Sequence, residues 1–240
     1  KNWATFYRPD RMAGLQAILH AWKSKGNLVF LDAKRSLGNL SKKVMEKLEY
    51  IDSLSGTPSQ FRHFDKNFFD CMKSLKSITL GGEAVEQSDI NLLKNFSNGA
   101  NIYQIYASSE YGPMCTVKDE LEGLPARFFE GDNPRFKISN NNELIVKPFI
   151  VAKNHKLSND YFATGDLIEL QNNRYYFIGR SDNLVSVGGV LVSPEQIEKS
   201  LRELPEVINC RIIVKENPIL GSIMIGEVVP SSLDISEGEI

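Results

Sequence analysis

Cysteine and histidine are both scarce in this sequence of 240 residues. An odd number of widely spaced cysteines does not make a disulfide framework, so we expect the chain to fold in a reducing compartment. The histidines are equally scattered, and they form no zinc-binding spacing with the cysteines. The three residues of each type are Cys71, Cys115 and Cys210, and His20, His63 and His155.

Excess charge and long apolar runs are also absent. The 28 basic and 30 acidic residues leave a formal net charge of -2. No basic stripe is present, so we expect neither a nucleic acid nor a membrane surface as partner. No apolar run reaches membrane-spanning length, and the N-terminus carries no secretory signal. The sequence therefore favours a cytoplasmic protein.

The first half of the chain alternates helix and strand patterns. Apolar residues fall on one helical face between Arg11 and Lys25, and short apolar runs typical of buried strands follow. This alternation predicts an α/β fold with a largely parallel sheet and flanking helices. The predicted helices lie around residues 11–25, 37–48, 66–75 and 90–96, and the predicted strands around 27–31, 50–54, 77–80 and 101–106.

The second half begins with strand patterns separated by polar turns. Segments 143–148, 161–169 and 174–179 predict an antiparallel or barrel-like β region. Ser193 and Pro194 then predict a capped helix, and two apolar strands follow it in a small α+β lobe. We therefore expect an α/β part of a large domain at 1–120, a β-rich part of the same domain at 121–180, and the beginning of a C-terminal lobe at 183–240.

Two polar loops follow strands of the predicted parallel sheet. They are Gly81-Gly82-Glu83-Ala84 and Tyr106-Ala107-Ser108-Ser109-Glu110. Ligands of such sheets bind beyond the carboxyl ends of the strands, so the two loops can share one ligand. An aromatic ring, hydroxyls and a carboxylate suit the base, the phosphates and the Mg²⁺ of a nucleotide. The same residue types are also common in surface turns that bind nothing.

Two further motifs lie downstream, and together the four motifs resemble a known superfamily. They are Thr164-Gly165-Asp166, and Gly179-Arg180-Ser181-Asp182 followed by a Gly188-Gly189 pair and the segment 194–198. Taken singly, Asp166 is also typical of a turn, and Arg180 with Asp182 of a solvated ion pair. In order and spacing, the motifs resemble the adenylate-forming superfamily of acyl-CoA synthetases, adenylation domains and luciferases. Residues 106–110 look closest to bacterial AMP-forming acyl-CoA synthetases.

This resemblance implies an activity. In that superfamily a carboxylate attacks the α-phosphate of ATP, which gives an acyl-adenylate and pyrophosphate, and a thiol then takes the acyl group. ATP, Mg²⁺ and CoA are therefore the expected cofactors and co-substrates, and a small carboxylic acid is the expected substrate. Two alternatives stay open: loading of a carrier protein in place of CoA, and non-catalytic binding of a nucleotide or acyl group.

The resemblance also assigns roles around the nucleotide. Tyr106 would stack on adenine, Ser109 would bond a phosphate, and Glu110 would hold Mg²⁺. Asp166 would accept both ribose hydroxyls, since a carboxylate has two oxygens, and Arg180 would donate to the ribose or a phosphate. The hinge before the small lobe would be Asp182, and the wall between adenine and the acyl group would contain Gly81, Gly82 and Glu83. Ala107 would also contact the nucleotide.

Four residues are expected to line the acyl pocket. Arg11 stands where many relatives place a histidine near the substrate carboxylate, and it could bind an anionic group or form a structural ion pair. The other three are Thr57, Phe61 and Met114, which suggest a medium apolar or aryl acid.

Two parts of the family pattern have no match in this sequence. Ser55-Gly56-Thr57-Pro58 lacks the second glycine and the lysine of the phosphate-binding loop, so we interpret it as the start of a helix. No lysine follows Lys215 to stabilise charge on the α-phosphate. We therefore expect an incomplete copy of the family fold that is inactive on its own.

Overall fold

The computed structural model describes residues 1–32, 46–147, 161–218 and 220–232. The chain divides into two compact units. The first contains Lys1–Pro125, and the second contains Ala126–Lys147 with the residues from Tyr161 onward. The helix predicted at 37–48 lies largely outside the described residues. No helix within the described ranges has both the length and the apolarity needed to cross a membrane.

A six-stranded sheet organises the first unit, in the order β2-β1-β3-β4-β5-β6. Neighbouring strands among the first five pair in parallel, and β6 returns antiparallel to β5. The prediction of a largely parallel sheet is confirmed. The strands are β1 (Asn2–Thr5), β2 (Asn27–Phe30), β3 (Ser53–Gly56), β4 (Ser77–Gly81), β5 (Asn101–Ser108) and β6 (Gly112–Val117), and a two-residue strand β7 (Leu124–Pro125) follows.

Four helices are described in the first unit: α1 (Met12–Lys23), α2 (Pro58–Phe61), α3 (Lys66–Asp70) and α4 (Gln87–Phe96). The helix predicted to start within Ser55–Phe61 is present, but β3 continues to Gly56 and the helix begins only at Pro58. Thr57 is its N-cap and forms a reciprocal capping box with Gln60. Helix α3 is shorter than the predicted span of 66–75. The core of the unit contains an aromatic cluster of Phe6, Phe61, Phe64, Phe68 and Phe69.

Helix α1 packs on the unit through its small residues. Gly14 and Ala21 are its buried positions, and a side chain at Gly14 would collide with the carbonyl of Arg8. The helix therefore lies too close to the chain to bury large side chains on that face. Its apolar stripe is exposed instead, at Met12, Leu15, Ile18, Leu19 and Trp22.

The second unit is built from antiparallel pairs, as predicted. Its strands β8 (Phe136–Ile138), β9 (Glu143–Val146), β10 (Phe162–Gln171) and β11 (Arg174–Arg180) lie in sequence order in one sheet. They are followed by the hairpin β12 (Val185–Val187) and β13 (Val190–Val192), by α5 (Pro194–Arg202), and by the hairpin β14 (Val207–Asn217) and β15 (Gly221–Pro230).

The predicted helix cap of the second unit is confirmed, and the glycine pair of its motif forms a hairpin turn. Ser193 is the N-cap of α5, and its hydroxyl accepts a hydrogen bond from the backbone N–H of Gln196 at 3.3 Å. The β12–β13 turn is Gly188-Gly189, with φ of 57° and 87°. Two positive φ values are what a two-residue hairpin turn needs, and glycine adopts them without steric cost.

Candidate functional site

The Tyr106–Glu110 segment forms one side of a hairpin in the first unit. The strand predicted at 101–106 continues as β5 to Ser108, two residues further than predicted. Only residues 109–111 connect β5 to β6, and Ser108 pairs with Gly112 across the turn. The register shifts between Tyr106 and Ala107, which indicates a β-bulge there.

The turn presents Ser109 and Glu110 to solvent. It is held by the Ser108 hydroxyl, which accepts a hydrogen bond from the Tyr111 amide at 3.1 Å. Positive φ at Gly112, 68°, closes the hairpin. The hairpin therefore fixes the backbone of the turn and leaves the Ser109 hydroxyl and the Glu110 carboxylate at its exposed tip.

The Gly81-Gly82-Glu83 segment leaves the neighbouring strand β4. Gly82 has φ of 87°, and a methyl group added there would lie 3.5 Å from the Thr57 methyl carbon. The Glu83 carboxylate accepts hydrogen bonds from the Ser59 amide at 3.0 Å and the Ser59 hydroxyl at 2.7 Å. The two chain segments that follow β3 and β4 are thereby joined at the carboxyl edge of the sheet.

A tyrosine that the sequence did not single out also lies at this edge. The Tyr7 hydroxyl is 2.8 Å from the Gly56 carbonyl oxygen and 2.9 Å from that of Gly81. Burial, and next the charge of Glu83, raise the pKa of Tyr7, so the hydroxyl stays protonated and donates. No local sequence signal identifies this residue, because its partners are 49 and 74 positions away.

The residues predicted for the acyl pocket lie in different surroundings within the first unit. Phe61 is in the aromatic core with 1% exposure, and Met114 is fully buried on β6. Thr57 lies beside Gly82 at the carboxyl edge. Arg11 is the exposed residue before α1. Contact of these four residues with a substrate stays a prediction. Among them, Thr57 has its side chain beside Gly82, in the segment that follows β4.

Asp166 lies on β10 of the second unit, directly opposite Arg180 on β11. The backbone around it is fixed by side chains: the Gly165 amide donates to Glu143 at 2.7 Å, and the Asp166 amide donates to the Thr164 hydroxyl at 3.1 Å. Gly165 has φ of 80°, and a methyl group there would lie 2.9 Å from the Arg180 guanidinium. Glycine at this position thus lets Arg180 approach the strand.

Arg180 joins the two acidic residues of its motif. Its Nη1 donates to Asp166 at 3.1 Å, and its Nε and Nη2 donate to the Asp182 carboxylate at 2.9 and 3.1 Å. Hydrogen bonding from Arg180 lowers the pKa of Asp182, and the same bond raises the pKa of Arg180. The structure thereby brings three predicted residues of the second unit, Asp166, Arg180 and Asp182, into one ion-pair cluster.

The exposed side chains at the tip of the β5–β6 hairpin suit a magnesium ion whose other ligands are phosphate oxygens and waters. The Glu110 carboxylate is exposed and forms no hydrogen bond or ion pair with the described residues. Within the described ranges, no group of three or more His, Cys, Asp or Glu side chains is placed to hold a metal on its own. Mg²⁺ commonly binds through one or two carboxylates with substrate phosphates and waters, so a single Glu110 fits that mode.

The curated proteins that are similar to this chain include acid-activating ligases. It is 27% identical over 233 residues to acyl-CoA synthetase short-chain family member B, mitochondrial, of Dictyostelium discoideum, covering 81% of this chain and 34% of that protein. It is 27% identical to 2-succinylbenzoate–CoA ligase of Escherichia coli, covering 68% and 38%. It is 25% identical to N-(5-amino-5-carboxypentanoyl)-L-cysteinyl-D-valine synthase of Amycolatopsis lactamdurans, covering 80% and 6%. No protein-family model matches the chain.

Solved structures agree on the fold. A singly substituted form of Escherichia coli MenE with bound OSB-AMS superposes with a TM-score of 0.69 at 21% identity, covering 99% of this chain and 53% of that one. ATP-bound MatB from Rhodopseudomonas palustris superposes with a TM-score of 0.70 at 16% identity, covering 100% and 52%.

The chain has the mixed α/β fold of the adenylate-forming enzymes, and the resemblance found in its motifs is confirmed. Its curated relatives include acyl-CoA synthetases and 2-succinylbenzoate–CoA ligase, which are AMP-forming ligases. The chain spans about a third of the first curated relative and about half of the solved structures.

Proposed function

We propose that the whole protein containing this chain is an acid–thiol ligase that converts ATP to AMP and pyrophosphate. The observation that carries the proposal is the 27% identity to a named acyl-CoA synthetase over 81% of the chain. The nucleotide-suited residues of the chain, in their order and spacing, also support it.

In the first unit, Tyr106, Ser109 and Glu110 are the residues assigned to the nucleotide. The Tyr106 ring would stack on adenine, and the Ser109 hydroxyl would donate to a phosphate oxygen. The exposure of Ser109 and Glu110 supports this assignment, since a ligand can reach both without moving the hairpin. Gly81, Gly82 and Glu83 would form the wall between adenine and the acyl group, and Ala107 would also contact the nucleotide.

In the second unit, Asp166 and Arg180 are assigned to the ribose. The Asp166 carboxylate would accept the ribose hydroxyls. Arg180, which is paired with that carboxylate at 3.1 Å, would donate to the ribose or to a phosphate. Asp182 would be the hinge of the small lobe. Asp182 accepts two hydrogen bonds from Arg180. A change of backbone angle at Asp182 would therefore also move the arginine that is assigned to the nucleotide.

The proposed reaction has two displacements. A carboxylate oxygen of the acid attacks the α-phosphorus of ATP, the bond to the β-phosphate oxygen breaks, and pyrophosphate leaves with the bonding electrons. The sulfur of a deprotonated thiol, that of CoA, then attacks the acyl carbon, and AMP leaves. Mg²⁺ held at Glu110 would neutralise phosphate charge during the first step. The residues of this chain would orient the nucleotide for in-line attack.

A carrier protein is the second candidate acceptor. It is favoured by the 25% identity to N-(5-amino-5-carboxypentanoyl)-L-cysteinyl-D-valine synthase over 80% of this chain. The thiol chemistry of the second step would be the same. We propose a cytoplasmic setting for either reaction, although the Dictyostelium relative is named as mitochondrial.

Pyrophosphate exchange tests the first step. The whole protein is incubated with ATP, Mg²⁺, labelled pyrophosphate and a panel of straight-chain and aryl acids, and we expect label to enter ATP with at least one acid. Adding CoA or a phosphopantetheinylated carrier then identifies the acceptor by thioester formation. Absence of exchange with every acid, in a folded protein that binds ATP, would favour the non-catalytic alternative and contradict the proposal.

A further inference from the structure

Tyr7 occupies the point at which three parallel strands end. It follows β1, whose sheet neighbour is β3, and β4 lies beyond β3 in the same sheet. The Tyr7 side chain reaches the last residue of β3, Gly56, at 2.8 Å and the last residue of β4, Gly81, at 2.9 Å. One hydroxyl, which has a single proton to donate, therefore lies within hydrogen-bonding distance of the carbonyls that end two adjacent strands.

The bridge lies where the ladder between those strands stops. The register of β3 with β4 ends at the pair Gly56–Leu80. Beyond that pair the chain enters helix α2 at Thr57 on one side and the turn at Gly82 on the other. The Tyr7 hydroxyl thus lies between the two carbonyls just before the segments separate, and its one proton is donated to either of them or shared by both. Through these carbonyls it can influence the spacing of Thr57 and Gly82.

The gap between the Thr57 side chain and Gly82 is about as wide as one methyl group. A methyl group at Gly82 would lie 3.5 Å from the Thr57 methyl carbon. The Glu83–Ser59 hydrogen bonds join the same two segments from the exposed side. A small change in this spacing would therefore decide which groups fit between the two segments.

We propose that Tyr7 is a specificity-determining positioning residue of the acyl site. This inference rests on the proposed function and assigns to the site a control on the size of the acid. Tyr7 acts through the Gly56 and Gly81 carbonyls, which set the separation of Thr57 and Gly82. The hydroxyl keeps the gap narrow, so the native protein discriminates against acids that are bulky near the carboxylate.

Tyr7→Phe in the whole protein tests the inference, with Tyr50→Phe as the matched control. Tyr50 is 63% exposed and has no place in the site. The variants are compared in pyrophosphate exchange with acids of increasing bulk. We expect Tyr7→Phe to change the ratio of kcat/KM between a slender and a bulky acid by about 3–10-fold in favour of the bulky acid. This factor is the equivalent of one hydrogen bond. We expect the KM for ATP to change less than about twofold and Tyr50→Phe to change neither quantity.

Three results can be told apart. Equal loss of activity with every acid, at an unchanged ratio, would mean a merely structural role and would overturn the inference. Absence of exchange in the wild-type protein would instead refute the proposed function. If Tyr7→Phe does not fold, Thr57→Ser decides the matter, because it removes the methyl beside Gly82 and keeps the capping hydroxyl. It should shift preference toward bulkier acids, and an unshifted profile overturns the inference.

Discussion

The Arg180 guanidinium lies 3.1 Å from the Asp166 carboxylate, across a directly paired position of two antiparallel strands. This relationship connects a residue assigned to the ribose with the motif that precedes the small lobe. Because Arg180 also holds Asp182, loss of Asp166 leaves the arginine with its bidentate partner intact. Substitution of Asp166 therefore removes one acceptor without stranding a buried charge.

The first prediction follows from that geometry. Asp166→Ala in the whole protein should weaken ATP binding by about 1.5–3 kcal/mol, the range for hydrogen bonds to a charged group. Isothermal calorimetry measures the change. Glu169→Gln is the control, because Glu169 lies on the same strand and is exposed. Equal affinity of wild type and Asp166→Ala would remove Asp166 from the ribose site.

Features that depend on neighbouring residues were predictable from the sequence. The cap at Ser193, the Gly188-Gly189 turn and the strand and helix alternation each depend on contacts within a few positions, and each is present. The four motifs were also visible, since their spacing along the chain is a property of the sequence itself.

Features that depend on long-range packing were not predictable. The continuation of β5 through Tyr106 depends on pairing with β6, and the polar residue types at 108–110 favoured a loop. Periodicity does not reveal that α1 packs through Gly14 and Ala21 and leaves its apolar stripe exposed. The Tyr7 bridge needs two partners from separate strands.

The second prediction concerns a buried ion pair in the first unit. Arg62 donates to both Asp89 oxygens, at 2.7 and 2.9 Å, and the Asp89 side chain is 3% exposed. Burial raises the pKa of Asp89 despite this partner. Arg62→Ala would leave the carboxyl group without its main donor, so we expect a loss of about 3–5 kcal/mol in the free energy of unfolding. Urea denaturation measures it.

An exposed pair of the same kind provides the control. Arg8 also donates to both oxygens of Asp10, but the two side chains are 70% and 56% exposed. Arg8→Ala should cost less than about 1 kcal/mol, because water replaces the lost partner. Similar losses for the two variants would show that burial is not what makes the Arg62 pair important.

The third prediction concerns the glycine of the Gly179-Arg180 motif. Gly179 has φ of 133°, and an added methyl group would collide with the side chain of Ser193, the N-cap of α5. Gly179→Ala should therefore destabilise the protein by about 1–3 kcal/mol through overpacking, in addition to the backbone cost. Gly131→Ala is the matched control, because Gly131 has φ of 97° and open space around it. It should cost only about 1–2 kcal/mol, and equal losses would exclude the collision as the cause.

The Asp52 carboxylate stabilises the fold in a pH-dependent way. It accepts hydrogen bonds from the Lys76 ammonium group at 2.7 Å and from the backbone N–H of Asn2 at 2.9 Å. The bond from Lys76 and then that from Asn2 lower the pKa of Asp52 below its ordinary value of 3.8. Since the folded state binds this proton less readily than the unfolded state, the stabilisation is present above the ordinary pKa and is lost as the pH falls through the lowered one.

The last prediction follows from the direction of that shift. Asp52→Asn should lower the Tm at about pH 7, and the difference from wild type should shrink below about pH 4. Thermal unfolding across this pH range measures both. Asp70→Asn is the comparison, because the Asp70 carboxylate accepts a longer bond, 3.5 Å, from Asn98. The difference in Tm between Asp52→Asn and wild type could instead stay constant down to acid pH. That result would mean that the charge of Asp52 does not stabilise the fold through Asn2 and Lys76.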